Sequence, residues 1–317
     1  MLALIVIAIC FGVVEGITEW LPISSTGHLI LLDGIFSASG YDLSSNLGFA
    51  HGEEFLSMNE VVIQLGAILA VIVFFFNKLW PWSKKKKLTE EERQFVEMGY
   101  KEDVIQMGKR RKIYSTWVKT IVGVLPAAAL GLIFELLDVD KYIYSWITVA
   151  ITLIVYGVAF ILVEWYLGKK GQKPRYDDVD SLPLKTAFLI GCFQMLALIP
   201  GTSRSGVTII GALLLGASRS AAAEFSFFLS IPVMIGASGL KMVSFFMDQG
   251  MPSANEWIFM VVGFLVAFAV SLFAIKWLMG FVKRHSFSAF GYYRIALGLL
   301  VIVFFATMVG LGKGIAI

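Results

Sequence analysis

The chain predicts an all-α polytopic membrane protein, with about six transmembrane helices and two re-entrant helix-loop-helix hairpins arranged as an inverted-topology repeat. Three observations lead there. Hydrophobic residues make up 58% and charged residues 15% of the 317, and the mean hydropathy of +0.80 lies far outside the soluble range. Six apolar runs approach or exceed the roughly 20 residues that cross a bilayer. Two further apolar regions are broken near the middle by proline and a Ser/Thr/Gly-rich loop.

The first broken region is 2–36, interrupted at Pro22-Ile23-Ser24-Ser25-Thr26-Gly27. Proline and this loop end a helix, and each half is too short to span alone. A re-entrant hairpin follows, because irregular backbone at membrane depth must be lined by protein or a wet cavity. The spans come next at Glu60–Phe76, Trp117–Leu137 and Ser145–Leu167. Region 186–216 is broken by Pro200-Gly201-Thr202-Ser203-Arg204-Ser205-Gly206 and reads as a second hairpin. Ala221–Phe246, Trp257–Gly280 and Phe290–Leu311 complete the set. No removable signal peptide is expected, since the apolar N-terminus lacks a basic region and a clear cleavage site. Cys10 and Cys192 lie in apolar segments and form neither a disulfide framework nor a zinc motif.

Lysine and arginine set the orientation. Lys84 to Lys87, Arg93, Lys101, Lys109 to Lys112 and Lys119 follow the first span, and more basic residues fall on the same side at 169–185, Arg219, Lys283 and Arg284. Residues 37–59 and 247–256 contain none. The basic side is therefore cytoplasmic, both termini lie outside, and the hairpins enter from opposite faces. The basic insertion, 77–116, is a solvated segment with Thr89 capping a short helix. Within one membrane domain, 1–317, the first repeat is set at 1–137 and the second at 186–317, the two halves each reading as a broken hairpin followed by three spans. A glutamate is expected to open the span after each hairpin, Glu60 in one and Glu224 in the other. Such repeats bind ligands at their interface, where half-helix N-termini meet anionic groups.

The polar residues inside these hairpins are candidates for function, because ionisable groups at membrane depth are rare and costly. Glu15 and Glu19 share a helix face and suit a shared divalent cation, which takes one or two carboxylates with phosphate oxygens and water. Gly27 allows close backbone approach, while Ser24, Ser25 and Thr26 either cap the next helix or bind phosphate. One hydroxyl can instead attack phosphorus, with His28 or Glu19 as base. Arg204 offers a planar fork to a phosphate, or pairs with Glu15, Glu19 or Glu224. Thr202, Ser203, Ser205 and Gly206 support it, and Gln64 is a candidate at longer range. There is no GxxxxGK[ST] loop, and no nucleic-acid partner is expected.

The stretch from Glu15 to Leu29, with Pro200 to Gly206, Glu60-Val61-Val62-Ile63-Gln64-Leu65-Gly66 and Glu224-Phe225-Ser226-Phe227, resembles the undecaprenyl-diphosphate phosphatase family, the bacterial bacitracin-resistance proteins. The resemblance covers most of the chain. It implies a multi-pass inner-membrane hydrolase that removes the terminal phosphate of undecaprenyl diphosphate and recycles the carrier for peptidoglycan synthesis, and the outer-side first hairpin predicts a site that opens to the periplasm. It also implies a divalent cation, Mg²⁺ or Ca²⁺, and importance for Glu15, Glu19, Ser25, His28 and Arg204. Interlocked inverted repeats are the implied fold. The expected partners are undecaprenyl diphosphate and membrane lipid, with a homodimer left open. This chain departs from the pattern in its longer outer loop, 37–59, and its extended basic insertion.

On this reading Ser25 is the nucleophile, with His28 as its base or as the later acid, while Glu15 and Glu19 hold the cation and Arg204 neutralises charge. Direct water attack is the rival. A transporter or flippase of polyprenyl phosphate is the alternative function, since transporters also use inverted repeats with broken helices.

Overall fold

A computed structural model describes residues 1–81, 90–99, 101–137, 139–171 and 173–311. Lys84 to Lys87 and the Thr89 cap lie outside the described residues. Ten helices carry the architecture: α1 (Leu2–Thr18), α2 (Ser25–Ala38), α3 (Gly52–Phe74), α4 (Glu102–Leu136), α5 (Trp146–Lys170), α6 (Leu184–Gln194), α7 (Arg204–Leu214), α8 (Arg219–Asp248), α9 (Ala254–Phe281) and α10 (Ser288–Gly310). Six of them, α3, α4, α5, α8, α9 and α10, are long and apolar enough to span a membrane.

The expected breaks are present. Helix α1 stops before Glu19, and α2 restarts at Ser25. The second break runs from a 3₁₀ turn, Met195–Leu198, to Arg204. Two expected boundaries move. Helix α4 begins at Glu102, well inside the basic insertion, with Glu102 and Asp103 in its first turn where carboxylates favour a helix start; further along, buried Lys119 donates to the carbonyls of Val179 (3.1 Å) and Asp180 (2.7 Å). Helix α3 begins at Gly52, so Glu60 lies two turns inside it instead of opening it. Its N-terminal turn carries Glu53 and Glu54, where carboxylates favour a helix start.

The packing joins the two halves. Helix α1 packs on α9 and α6 on α4; α2 packs on α10 and α7 on α5; α3 meets α8 and α5 meets α10. Each hairpin thus lies against helices of the other half. Glycine pairs permit the close crossings. A Cβ at Gly12 would stand 2.7 Å from the Gly263 carbonyl, and one at Gly157 would stand 2.8 Å from that of Gly291. Gly191 meets Gly123 in the α6–α4 crossing still more closely. Small residues are how helices approach in lipid, where apolar burial alone gives little drive. Side-chain bonds add to them, Ser271 Oγ to Gly16 O at 3.2 Å and Ser238 Oγ to Val61 O at 2.9 Å. The outer faces stay apolar and exposed, as at Leu240, Leu265 and Phe273, which suits contact with lipid.

The Gly191–Gly123 crossing makes a direct prediction. Gly191→Val should destabilise the protein by about 1–3 kcal/mol through overpacking, seen as a lower unfolding temperature in detergent. Gly239→Ala, where an added Cβ meets nothing within 4 Å, should leave that temperature unchanged or raise it.

Candidate active site

The same local device builds both loops. Ser24 (φ 76) and Ser203 (φ 66) are the two non-glycine residues with positive φ among the described residues. This backbone is costly for a residue with a Cβ and persists only where surroundings enforce it. Each serine caps the following helix. The Oγ of Ser24 accepts from Gly27 N–H and that of Ser203 from Gly206 N–H, both at 3.2 Å. The first N–H groups of α2 and α7, those of Ser25, Thr26, Arg204 and Ser205, find no backbone acceptor among the described residues. Helix starts of this kind attract anions.

Glu19 joins the loops. Its Oε2 accepts from Ser25 Oγ at 3.0 Å and its Oε1 from Arg204 Nη2 at 2.9 Å. Its backbone carbonyl accepts from Ser205 Oγ at 3.2 Å. Arg204 also donates Nη1 to Ser226 O at 3.0 Å, lies 6.0 Å from the Trp20 ring, and keeps its Nε unpaired. The Glu19 and Arg204 side chains are only 9% and 11% exposed. Removing one member of such a pair leaves a charge unmatched in a poorly solvated place, typically costing about 3–5 kcal/mol.

Glu15, one turn earlier, is fully buried, and neither carboxylate oxygen has a hydrogen-bond partner. That unused acceptor capacity fits the oxygen donor of a hard cation, with Glu19 on the same face. Among the described residues no three His, Cys, Asp or Glu side chains assemble as a protein-only cage. The donors present are those expected when phosphate oxygens complete the shell.

Residues 8–300 match the family model described as bacitracin resistance protein BacA. The chain belongs to the BacA family. It is 50% identical over 298 residues to the undecaprenyl-diphosphatase of Acetivibrio thermocellus, covering 94% of this chain and 96% of that one. It is 45% identical to the undecaprenyl-diphosphatase of Limosilactobacillus fermentum, with 95% and 97% covered. A third relative of the same name, from Enterococcus faecalis, is 45% identical over 93% of this chain and 95% of its own.

In this BacA protein the remaining expected residues divide. His28 does not reach Ser25. Its Nδ1 donates to Ser24 O at 2.7 Å, so its Nε2 accepts from the Tyr293 hydroxyl at 2.8 Å in the neutral ring, and the rings stack. Glu19 occupies the place expected for a base on Ser25. Thr202 is buried and Thr26 half-buried beside the loops. The hydroxyls of Ser24 and Ser203 serve their own loops as caps, and Ser203 also bonds Ser205 Oγ at 3.2 Å. Gln64 is not brought to the loops by any hydrogen bond among the described residues. Glu224 pairs with Lys78 at 2.6 and 2.8 Å and does not reach Arg204.

Arg294 of α10 is the residue that sequence reasoning missed. It is fully buried and donates Nη1 to Pro22 O at 3.3 Å and Nη2 to Gly201 O at 2.9 Å and Thr202 O at 3.0 Å. Pro22 and Gly201 each stand two residues before their capping serine. One guanidinium therefore ties equivalent carbonyls of the two loops together. The available signal was a lone arginine in an otherwise apolar span, beside Tyr293.

Arg294→Met should leave three buried carbonyls without a donor and cost about 3 kcal/mol or more, measured as unfolding temperature of the purified protein. Tyr293→Phe removes one half-exposed hydrogen bond and should cost about 1 kcal/mol or less. Equal effects would show that Arg294 does not clamp the loops.

Proposed function

We propose that the chain is an undecaprenyl-diphosphatase, hydrolysing undecaprenyl diphosphate to undecaprenyl phosphate and inorganic phosphate. The observation that carries this reading is Glu19, bonded at once to the Ser25 hydroxyl and the Arg204 guanidinium where two helix N-termini meet. Relatives 45% to 50% identical carry that name. The product is the carrier lipid of cell-wall synthesis, and regenerating it is the basis of bacitracin resistance in our reading.

Ser25 Oγ, already donating to Glu19 Oε2, is the nucleophile. Glu19 takes its proton as oxygen attacks the terminal phosphorus. The anhydride P–O bond breaks, undecaprenyl phosphate leaves, and water then cleaves the phosphoserine. Arg204 and the free N–H groups of α2 and α7 hold the charged phosphoryl oxygens, where catalysis of this transfer is mainly electrostatic. Arg294 keeps both sets of donors in register. The proton that Glu19 takes up returns to Ser25 Oγ as water cleaves the phosphoserine, while His28, engaged with Ser24 O and Tyr293 and not with Ser25, lies beside the first loop. A divalent cation, Mg²⁺ or Ca²⁺, would be held by Glu15 and Glu19 and supplies neutralisation of diphosphate charge when bound.

We further place the two halves as inverted repeats, with the site opening to the periplasmic side of the bacterial inner membrane. The Lys and Arg bias supports the orientation, and the reciprocal packing of α1 on α9 and α6 on α4 supports the exchange of hairpins. The polyprenyl tail stays in the bilayer against the apolar outer faces.

Phosphate release from undecaprenyl diphosphate by purified protein tests the activity. Glu19→Gln and Arg204→Met should each lower the rate by about 100-fold or more, and a chelator should abolish it until Mg²⁺ or Ca²⁺ is restored. Transport of labelled polyprenyl phosphate in proteoliposomes, with no phosphate released by folded protein, would select the transporter instead.

Substrate labelled in its terminal phosphate should leave label on the wild-type protein after rapid quench and none on Ser25→Ala. Direct transfer to solvent oxygen in one step, with no labelled protein, would assign the attack to water.

A further inference from the structure

The candidate site uses none of the cations at the far end of α5. That end lies about 27 Å along the helix from Thr152, taking 1.5 Å per residue, and Thr152 packs against the second loop through its bond to Pro200 O at 2.8 Å. Here the chain turns at Gly171 (φ 57), and residues 173–176 run back over the turn between α7 and α8. The strap is fixed. Arg175 and Tyr176 N–H donate to Gly216 O at 2.8 and 3.1 Å, and Ser218 N–H donates to Tyr176 O at 2.8 Å. The Ser218 hydroxyl adds a bond to Asp177 O at 2.9 Å.

A cavity of about 700 Å³ lies between the end of α5, this strap, the start of α8 and the end of α9. Lys170, Lys173, Arg175, Arg219 and Lys283 line it, and no carboxylate does. Arg219 is held by buried Glu164, Nε at 2.9 Å and Nη2 at 2.6 Å. Among the described residues, no carboxylate stands within ion-pair distance of the other four. Cations gathered round one cavity repel each other, and an anion entering it relieves that repulsion. Helix α8 begins in the same wall, behind the Ser218 cap, and adds the positive end of its dipole.

Leu167, Leu213, Leu214, Leu215, Ala217 and Val282 make much of the remaining lining apolar, with Ser218 and Ser220 at the start of α8. Leu214 and Tyr166, both on its wall, are 46% and 43% exposed and open it outward at the ends of three membrane-spanning helices. A free anion has no use for such a surface, whereas a lipid presents a phosphate and an acyl chain together. The basic residues make this the cytoplasmic end. We infer that this cavity binds the phosphate headgroup of an anionic glycerophospholipid of the cytoplasmic leaflet.

Native mass spectrometry of the full chain, offered phosphatidylglycerol and phosphatidylcholine of equal acyl chains and concentration, tests the inference. The wild type should retain phosphatidylglycerol about tenfold better or more, and a Lys173→Gln/Arg175→Gln/Lys283→Gln chain should hold the two alike. Lys173→Arg/Lys283→Arg should keep the preference, which distinguishes loss of charge from loss of packing. Single Lys173→Gln and Lys283→Gln chains, altered only at exposed side chains, should fall between and serve if the triple variant fails to fold. No preference in the wild type, or a full preference in the glutamine variants, overturns the proposal. Loss of the preference on adding inorganic phosphate also overturns it, by making this a site for the free anion.

Discussion

Everything at the centre of this protein depends on breaking a helix twice inside an apolar slab. Each break exposes N–H groups on one side and carbonyls on the other, and lipid offers neither a partner. The two breaks solve this for each other. Arg294 spends its donors on carbonyls of both loops, with no carboxylate among its hydrogen-bond partners. Its charge is held by carbonyl dipoles and by the Tyr156 ring, 5.8 Å away. The first N–H groups of α2 and α7 are left over, in loops whose side chains Glu19 joins. Having no backbone acceptor of their own among the described residues, they are the groups that the proposed function assigns to the phosphate, so the defect that fold stability must contain is also the proposed binding apparatus.

The remainder of the structure holds these breaks against each other. Each hairpin is seated on a long helix through a close glycine crossing, at 12 and 263 for the first and at 191 and 123 for the second. Ion pairs close the bundle away from the loops. Lys78, at the end of the first half's leading span, grips Glu224 of the second. Glu164 fixes Arg219 and also accepts from Phe287 N–H at 2.9 Å, joining α5, α8 and the start of α10. At the other end Glu256 completes the capping box of α9 and binds His51 at 3.0 Å. Polar residues in this chain thus act mainly as fasteners between halves.

Much of this was legible before any coordinates. Spans declared themselves by apolar length, and both breaks by a proline followed by hydroxyls and glycine. Glu19 and Arg204 stood out as charges in apolar sequence, and they meet. What stayed hidden depends on three-dimensional neighbours. Nothing in the periodicity of residues 288–310 says that Arg294 points between two distant loops. His28 sits three residues after Ser25, a spacing that suits contact on one helix face, yet the ring turns to Tyr293 because Ser24 O captures its Nδ1. The start of α4 was hidden because residues 102–116 are rich in charged and polar side chains and carry no continuous apolar run. Glu60 misled for the opposite reason: it precedes an apolar run, and the helix already underway before it has mixed composition.

Counting from the capping serines gives the two loops a common frame, and in that frame their chemistry is unequal. The first helical position is Ser25 in one loop and Arg204 in the other. Nine residues before the cap stands Glu15 in one and Gln194 in the other, both buried and both without a hydrogen-bond partner at the side-chain end. Five before the cap, Glu19 faces Leu198. The scaffold repeats while the reactive groups do not, so one loop supplies carboxylates and a hydroxyl, and the other supplies a cation. A site with two copies of the first loop would hold four carboxylic groups and no arginine, and would repel a diphosphate. Two copies of the second would bind one tightly and lack any base. With one of each, Glu19 lies between the hydroxyl it can deprotonate and the guanidinium that otherwise neutralises it. In the proposed mechanism an arriving phosphate competes with Glu19 Oε1 for Arg204, which frees that carboxylate to accept the Ser25 proton. On that reading, substrate binding and activation of the hydroxyl are one electrostatic event, which two loops alike in their capping serines and different in their reactive side chains allow.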